Sequence, residues 1–147
     1  MRAKRAACRF ERCGPPASLS FGVSRFMDLT FNHNGIEVTV LNGPYLENDR
    51  PTDRAVSDYT DLASRLDELR GFAADKLLKL YNQAWLDEEI GEVDRTGFVA
   101  RLSNPSIHLY DELGAAVVYF NDGNLFAGHY IEVHLDNGVP TYAGIIG

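Results

Sequence analysis

Residues 115–135 constrain the fold most, because apolar residues alternate on both sides of the dipeptide Asp122-Gly123. Asp-Gly is a preferred two-residue hairpin turn, since both positions must tolerate positive φ and these two residues do. A turn here aligns three pairs of residues across the two strands: Phe120 with Leu125, Val118 with Ala127, and Ala116 with His129. The sequence therefore predicts an antiparallel hairpin with one apolar face.

The same alternation predicts which side chains lie on each face of this hairpin. The apolar face continues along the second strand with Ile131, Val133 and Leu135. The opposite face carries aromatic, acidic and imidazole side chains: Tyr119, Phe126, Tyr130, Glu132 and His134. We therefore expect a buried aliphatic face and an outer face that is aromatic and polar.

A second hairpin is predicted near the start of the ordered region. Asn34-Gly35 supplies its turn, and apolar and polar residues alternate on either side. Pairing across this turn aligns two apolar pairs: Phe31 with Val38, and Leu29 with Val40. This hairpin also has one apolar face.

Apolar residues at helical spacing run from Tyr59 to Ala84 and predict one long helix. The helix is expected to begin at Thr52-Asp53, because a short oxygen-bearing side chain can cap its free N–H groups. The apolar stripe crosses Gly71 without losing phase, so a bend is expected there rather than a break. Trp85 marks the expected end.

Shorter elements are predicted after the long helix. A short helix starts near Asp94 and buries Phe98, and Asn104-Pro105 ends it. Strands are expected over residues 106–110 and 142–146, on either side of the 115–135 hairpin.

These elements predict an α+β domain over residues 28–147. Its core is an antiparallel sheet of about five or six strands, with one long helix and one short helix packed on the apolar face of the sheet. Residues 1–26 lack periodicity and contain Gly14-Pro15-Pro16, so they are predicted to be a disordered basic leader. The hydrophobic pattern and the charge of the sequence both change at Met27. An alternative interpretation is that the functional protein starts at Met27 and does not include the leader.

Charge differs sharply between the two parts of the chain. Of 14 basic and 21 acidic residues, six basic and one acidic lie in residues 1–26, a net of +5. Residues 27–147 hold the other eight basic and 20 acidic residues, a net of −12. Such a body repels phosphates and membrane surfaces, so we expect no nucleic-acid or membrane binding and favour a basic protein partner. The alternative interpretation is that the charge only maintains solubility.

Cysteine usage and the absence of an apolar segment indicate a cytoplasmic protein. Cys8 and Cys13 lie in the leader, where they resemble half of a zinc site, but no second pair of ligands follows to complete it. The body contains no cysteine for a disulfide framework. No apolar stretch approaches the length of a membrane span, and the leader lacks the apolar core of a secretory signal, although its arginines leave a transit peptide as an alternative.

The outer face of the predicted sheet supplies the candidate binding surface. It consists of aromatic, histidine and glutamate side chains: His108, Tyr110, Tyr119, Phe126, Tyr130, Glu132 and His134. Exposed aromatic residues on a sheet face suit a protein partner or a homodimer. Within this set, His108, Glu132 and His134 form an alternative metal-binding group. No catalytic residue, metal site or cofactor is assigned.

Residues 122–129 supply a candidate structural motif formed by Asp122, Gly123, Gly128 and His129. The predicted register places His129 on the apolar face. A histidine there could act as an acid or base, but such a group is more commonly hydrogen-bonded within the core. A bulge at Gly128 would move His129 to the other face.

Residues 120–133, FNDGNLFAGHYIEV, resemble a segment of small uncharacterised bacterial domains that are classed as domains of unknown function. The resemblance extends to the helix end at residues 78–86, the acidic loop at 87–94 and the short helix at 98–102, and would cover residues 28–147. It implies a stand-alone cytoplasmic bacterial protein. Domains of this kind are often suspected to be immunity proteins of toxin systems, and the resemblance implies no catalytic residues.

Two functional hypotheses follow. The first is a non-enzymatic binding module of immunity-protein type that covers a basic partner, such as a toxin, through its acidic surface and exposed aromatic residues. The second is a small enzyme or metal-binding protein that uses His108, Glu132 and His134. A homodimeric structural domain is a third interpretation.

Overall fold

The computed structural model describes residues 27–147, and the predicted leader lies outside this described part of the chain. These described residues form eight strands and three α-helices in this order: β1 (Leu29–His33), β2 (Ile36–Val40), β3 (Leu46–Glu47), β4 (Arg50–Pro51), α1 (Asp53–Ser64), α2 (Leu66–Leu80), which continues into a π-helical turn (Tyr81–Trp85), α3 (Arg95–Arg101), β5 (Ser103–Leu109), β6 (Ala115–Asn121), β7 (Tyr130–Asp136) and β8 (Val139–Ile146).

Six strands form one mixed sheet in the order β1-β2-β5-β6-β7-β8, and β3 pairs with β4 separately. All neighbours in the large sheet are antiparallel except β2 and β5, which are parallel. The prediction of an α+β domain with about six strands is therefore confirmed, whereas the expected purely antiparallel sheet is wrong at one pair. The helices lie between β2 and β5 in sequence, and such a long crossover can return the chain in the same direction.

The first hairpin forms as the sequence predicts. Phe31 pairs with Val38 and Leu29 pairs with Val40. Gly35 adopts a φ of +85°, the left-handed conformation that a tight hairpin turn requires.

The second hairpin has a different register from the predicted one. Val118 pairs with Val133 instead of Ala127, and the other two pairs are shifted equally, to Phe120 with Ile131 and Ala116 with Leu135. Residues 122–129 form a loop rather than a two-residue turn. The shift covers six residues, an even number, so each strand residue keeps its face. Accordingly, Val118, Ile131 and Val133 are buried as expected.

The predicted long helix is divided at Arg65 instead of being bent at Gly71. The Arg65 N–H donates to the Leu62 carbonyl, which closes a tighter turn than an α-helical one. Its guanidinium binds Asp61 and Glu68, each at 2.9 Å, and so links the two helices. Helical structure ends at Trp85 as predicted.

The short helix α3 agrees with its prediction. The Asp94 side chain accepts a hydrogen bond of 2.7 Å from the Gly97 N–H and caps the helix, and Phe98 is fully buried. The helix ends before Asn104-Pro105, but this dipeptide lies within strand β5, which begins at Ser103 and not at Ser106 as expected.

One cluster of buried apolar side chains combines residues of all three helices with residues of the large sheet. Helix α1 contacts β2 and β5, and α2 contacts β7 and β8. The sheet contributes alternating residues from its strands: Val38, Val40, Ile107, Leu109, Ala116, Val118, Phe120, Ile131, Val133, Leu135 and Ala143.

Candidate functional site

The side chains that alternate with these core residues lie on the opposite side of the large sheet, which we call the outer face. Strand pairing arranges them in two rows that run from β2 to β8. One row is Thr39, His108, Val117, His134 and Tyr142. The next row is Glu37, Ser106, Tyr119, Glu132 and Gly144. The sequence-predicted residues His108, Tyr119, Glu132 and His134 therefore share this face.

A tyrosine pair lies beside His108 on the outer face. The hydroxyl groups of Tyr110 and Tyr119 are 2.8 Å apart and share a hydrogen bond. The ring of His108 lies edge-on to that of Tyr119, with 4.8 Å between their centroids. Burial, followed by the hydrogen bond with Tyr110, raises the pKa of Tyr119 far above that of a free tyrosine. Tyr119 is therefore a neutral hydroxyl that can donate or accept a hydrogen bond.

Glu132 and His134 are close neighbours farther along the face. His134 Nε2 lies 3.0 Å from Glu132 Oε1, although the ring nitrogen lacks the geometry of a hydrogen bond. The Glu132 side chain is only 15% exposed. The Tyr142 ring contacts His134 at 5.2 Å between centroids, and its hydroxyl lies so close to Gly144 that a Cβ there would clash with it. Tyr142 therefore covers the glycine in the neighbouring row.

The outer face does not bring together the three residues of the alternative metal-binding group. Val117 lies between His108 and His134 in their row. Within residues 27–147, no three His, Cys, Asp or Glu side chains are grouped closely enough to hold a metal ion.

Phe126 does not belong to the outer face, contrary to the sequence-based prediction. It is fully buried, and its ring packs edge-on against Tyr81, Trp85 and Phe98 at centroid distances of 5.9, 5.5 and 6.3 Å. The cause is the register of the second hairpin, which leaves Phe126 in a loop where strand alternation does not apply. Tyr130, the first residue of β7, lies at an outer-face position of its strand and is 53% exposed.

The 122–129 loop is organised by Asp122. Its buried carboxylate accepts hydrogen bonds from the N–H groups of Asn124, Phe126 and Gly128 at 2.8, 2.7 and 3.1 Å. A Cβ on Gly123 would lie 2.5 Å from the Arg101 carbonyl oxygen, so this close approach requires glycine. These contacts give the predicted structural motif a physical basis.

His129 lies in the same loop rather than on the apolar face of a strand, so its predicted location is wrong. Its ring is partly exposed, and Nδ1 lies 2.6 Å from the Phe126 carbonyl oxygen. The ring also packs edge-on against Trp85. Gly128 adopts a φ of +86° in the loop, so it reverses no strand face.

A cleft of about 630 Å³ opens on the outer face where β5 has a bulge. Across the sheet it is lined by Asn32, Gly35, Glu37, Asn104, Pro105, Ser106, His108, Tyr119, Asn121, Tyr130, Ile146 and Gly147. Asn104 in the bulge has a φ of +50°, an uncommon conformation for a residue other than glycine. Bulges often lie next to functional sites because they redirect side chains. We call this feature the outer-face cleft.

Sequence reasoning identified three residues of the outer-face cleft, His108, Tyr119 and Tyr130. It missed most of the polar lining, which is formed by Asn32, Glu37, Asn104, Ser106 and Asn121. The dipeptide Asn104-Pro105 was a signal, because these residues disfavour regular pairing and mark the bulge. The proximity of Asn32 and Glu37 to β5 depends on strand order, which the local sequence does not encode.

Comparison with known proteins agrees with the resemblance of the sequence. Residues 27–145 match the model of a family described as an uncharacterised protein conserved in bacteria (DUF2262). The chain belongs to this family. No curated protein and no solved structure matches it. The expectation of a bacterial domain of unknown function is therefore confirmed.

Basic residues of this family member are confined to one part of the fold. All eight Lys and Arg side chains of residues 27–147 lie between Arg50 and Arg101, and the six strands of the large sheet contain none. The outer face carries three carboxylates within its strands, Glu37, Glu132 and Asp136. Its own residues thus supply negative charge without a compensating cation. None of the helices in the described chain has the length and apolar character needed to cross a membrane.

His108 should titrate below the ordinary histidine pKa of 6.5, because burial disfavours its charged form more than Glu37 and Asp28 favour it. In that case the unfolded chain binds more protons than the folded chain as the pH falls through about 6.5. Protonation of this group therefore lowers the free energy of unfolding on acidification. Following the His108 ring proton by NMR from pH 8 to 4.5 measures the pKa directly. The Glu37→Gln variant should lower it further, and a wild-type pKa above 6.5 would contradict this description of the site.

Proposed function

We propose that this protein is a non-enzymatic protein-binding module that docks a basic protein through its outer face, in the manner of an immunity protein covering a toxin. The observation that carries the proposal is the charge distribution of the large sheet. A sheet without any Lys or Arg, in a body of net charge −12, attracts a positively charged surface. The same field opposes nucleic acids and anionic membranes.

The burial pattern supports docking on this side. We infer that the helices cover the aliphatic face of the sheet, because buried residues of both layers form one core. Tyr130 and Tyr142 on the outer face each leave 53% of their surface exposed. Tyrosine is enriched at protein interfaces, since its ring buries a large area while its hydroxyl forms hydrogen bonds.

Several side chains of the outer face are already fixed in position before a partner binds. Tyr110 and Tyr119 hold each other through their hydroxyl groups, so little conformational freedom remains to be lost on binding. Glu132 lies on a strand that is paired on both sides, and its side chain is largely buried. A rigid surface of this kind favours shape-specific docking over transient electrostatic contact.

The metal-binding alternative has one supporting contact, between Glu132 and His134, and lacks a third ligand in the described residues. A homodimer would use the same outer face but would bring two acidic surfaces together. Charge therefore favours a basic partner over a second copy. A cytoplasmic location, where an immunity protein would meet its toxin, is part of the proposal.

Co-expression with the product of the adjacent gene tests whether such a partner exists. We expect a complex that survives size-exclusion chromatography, weakens as salt is raised, and protects the host cell if the partner is toxic. Light scattering of the protein alone at several concentrations should give a monomer. A concentration-dependent dimer together with no complex and no protection would contradict the proposal and favour the homodimer.

A further inference from the structure

We propose that the outer-face cleft receives the cationic end of an arginine or lysine side chain from the protein partner. This inference rests on the proposed function and specifies which chemical group of the partner the outer face recognises. Three features of the cleft support it: its charge, its hydrogen-bond acceptors and its aromatic walls.

Glu37 gives the cleft its charge. Among residues 27–147, it is the one Asp or Glu that lines the cleft, and none of the Lys or Arg residues in this range lines it. Glu37 is exposed as well as lining the cleft, so its carboxylate can pair with an incoming cation. A phosphate or carboxylate ligand would meet this carboxylate, and no basic residue of the described lining would offset the repulsion. The cleft therefore selects against anions.

The amide side chains supply further acceptors. Asn32, Asn104 and Asn121 come from three different strands and all line the cleft. The Asn32 amide oxygen already accepts a hydrogen bond of 2.9 Å from the Gly35 N–H, which fixes the orientation of the side chain. A carbonyl oxygen has a second lone pair, so the same atom can accept from a guanidinium or ammonium group.

The aromatic walls suit a cation as well. Tyr119 and Tyr130 both line the cleft and lie on neighbouring strands, and the face of a tyrosine ring attracts positive charge. His108 lies beside Tyr119, and burial lowers its pKa, so at neutral pH it is uncharged and does not repel a cation. A volume of about 630 Å³ accommodates one long side chain with its flanking backbone.

NMR titration with capped arginine, N-acetyl-arginine-methylamide, tests the inference without the partner. We expect saturating shifts of the side-chain amides of Asn32, Asn104 and Asn121, and weaker binding by the lysine analogue because ammonium lacks the guanidinium fork. The glutamate analogue should not bind. Glu37→Gln should weaken binding of capped arginine about tenfold, as expected when a charge-assisted contact becomes neutral.

Glu112→Gln is the matched control, because Glu112 is an exposed carboxylate outside the cleft. It should bind capped arginine like the wild type. N-acetylglucosamine is a second probe, since amides and aromatic rings also suit sugars. Stronger binding of this sugar than of capped arginine, equal binding of capped arginine by Glu37→Gln, or no site-specific shift would overturn the inference. NMR signals that stay unchanged far from the cleft show that Glu37→Gln is folded. If Glu37→Gln did not fold, Glu37→Asp would be the second variant in the same titration.

Failure of this inference is distinguishable from failure of the proposed function. If capped arginine binds in the cleft but no protein complex forms, the cleft is a cation site and the protein-binding proposal is wrong. If the partner binds wild type and Glu37→Gln equally tightly, the outer face can still be the interface, but the cleft does not bind a cationic side chain of the partner.

Discussion

Replacing Asp122 with alanine should lower the free energy of unfolding by about 3 kcal/mol, because three backbone N–H groups lose a charged acceptor at once. The carboxylate is only 3% exposed and accepts from Asn124, Phe126 and Gly128. The Phe126 N–H is buried, so water cannot replace the lost oxygen. Urea denaturation followed by circular dichroism measures the loss.

Two further variants define what the Asp122 carboxylate contributes. Asp122→Asn keeps one acceptor oxygen but turns an amide group toward backbone donors, so it should recover only part of the lost stability. Glu112→Ala removes an exposed carboxylate and should change the free energy of unfolding by less than about 0.5 kcal/mol. If Asp122→Ala resembled Glu112→Ala, the hydrogen-bonded loop described here would be wrong.

Replacing Phe126 with alanine should cost about 4 kcal/mol of stability, the range found when a large core aromatic side chain is removed. Its ring contacts Tyr81, Trp85 and Phe98, and the cavity left behind would be lined by rigid rings that cannot easily collapse. Phe126→Leu should lose less, because leucine fills part of the space.

Tyr130→Ala is the matched control for Phe126→Ala. Both residues were expected on the outer face from strand alternation, but only Tyr130 is exposed. The control should shift the free energy of unfolding by about 0.5 kcal/mol or less. Thermal and urea unfolding of the pair compares them directly. Equal effects of the two substitutions would support the short-turn register and contradict the loop.

The two hairpins show why local sequence predicts one turn and misses the other. Asn34-Gly35 and Asp122-Gly123 carry the same turn signal, yet only the first forms a two-residue turn. At the second, the Asp122 carboxylate binds backbone groups up to six residues away, and Phe126 is drawn into a cluster with residues of the helices. These tertiary contacts outweigh turn propensity and are not visible in a local window.

The helices and the outer face also show which features a local sequence window cannot predict. The apolar stripe keeps its phase across Arg65, so periodicity predicts continuity where a tighter turn divides the helix. The two ion pairs of Arg65 then link the two parts. Alternation along a strand is local, so the sequence predicts which side of its own strand each of Tyr119, Glu132 and His134 occupies. The place of His108 beside them depends on the pairing of β5 with β6, which alternation does not encode. The outer-face cleft could not be predicted, because it depends on the parallel pairing of β2 with β5 and on the bulge in β5.

The most direct test of the central claim asks which face binds the partner. Isothermal titration of the partner compares Glu37→Lys/Tyr130→Ala, on the outer face, with Glu88→Lys/Leu86→Ala, outside the sheet. Both double variants add the same charge and remove one exposed large side chain. We predict a loss of affinity of about 100-fold for the outer-face variant and less than about threefold for the other. A larger loss for the variant outside the sheet would contradict the proposed docking surface.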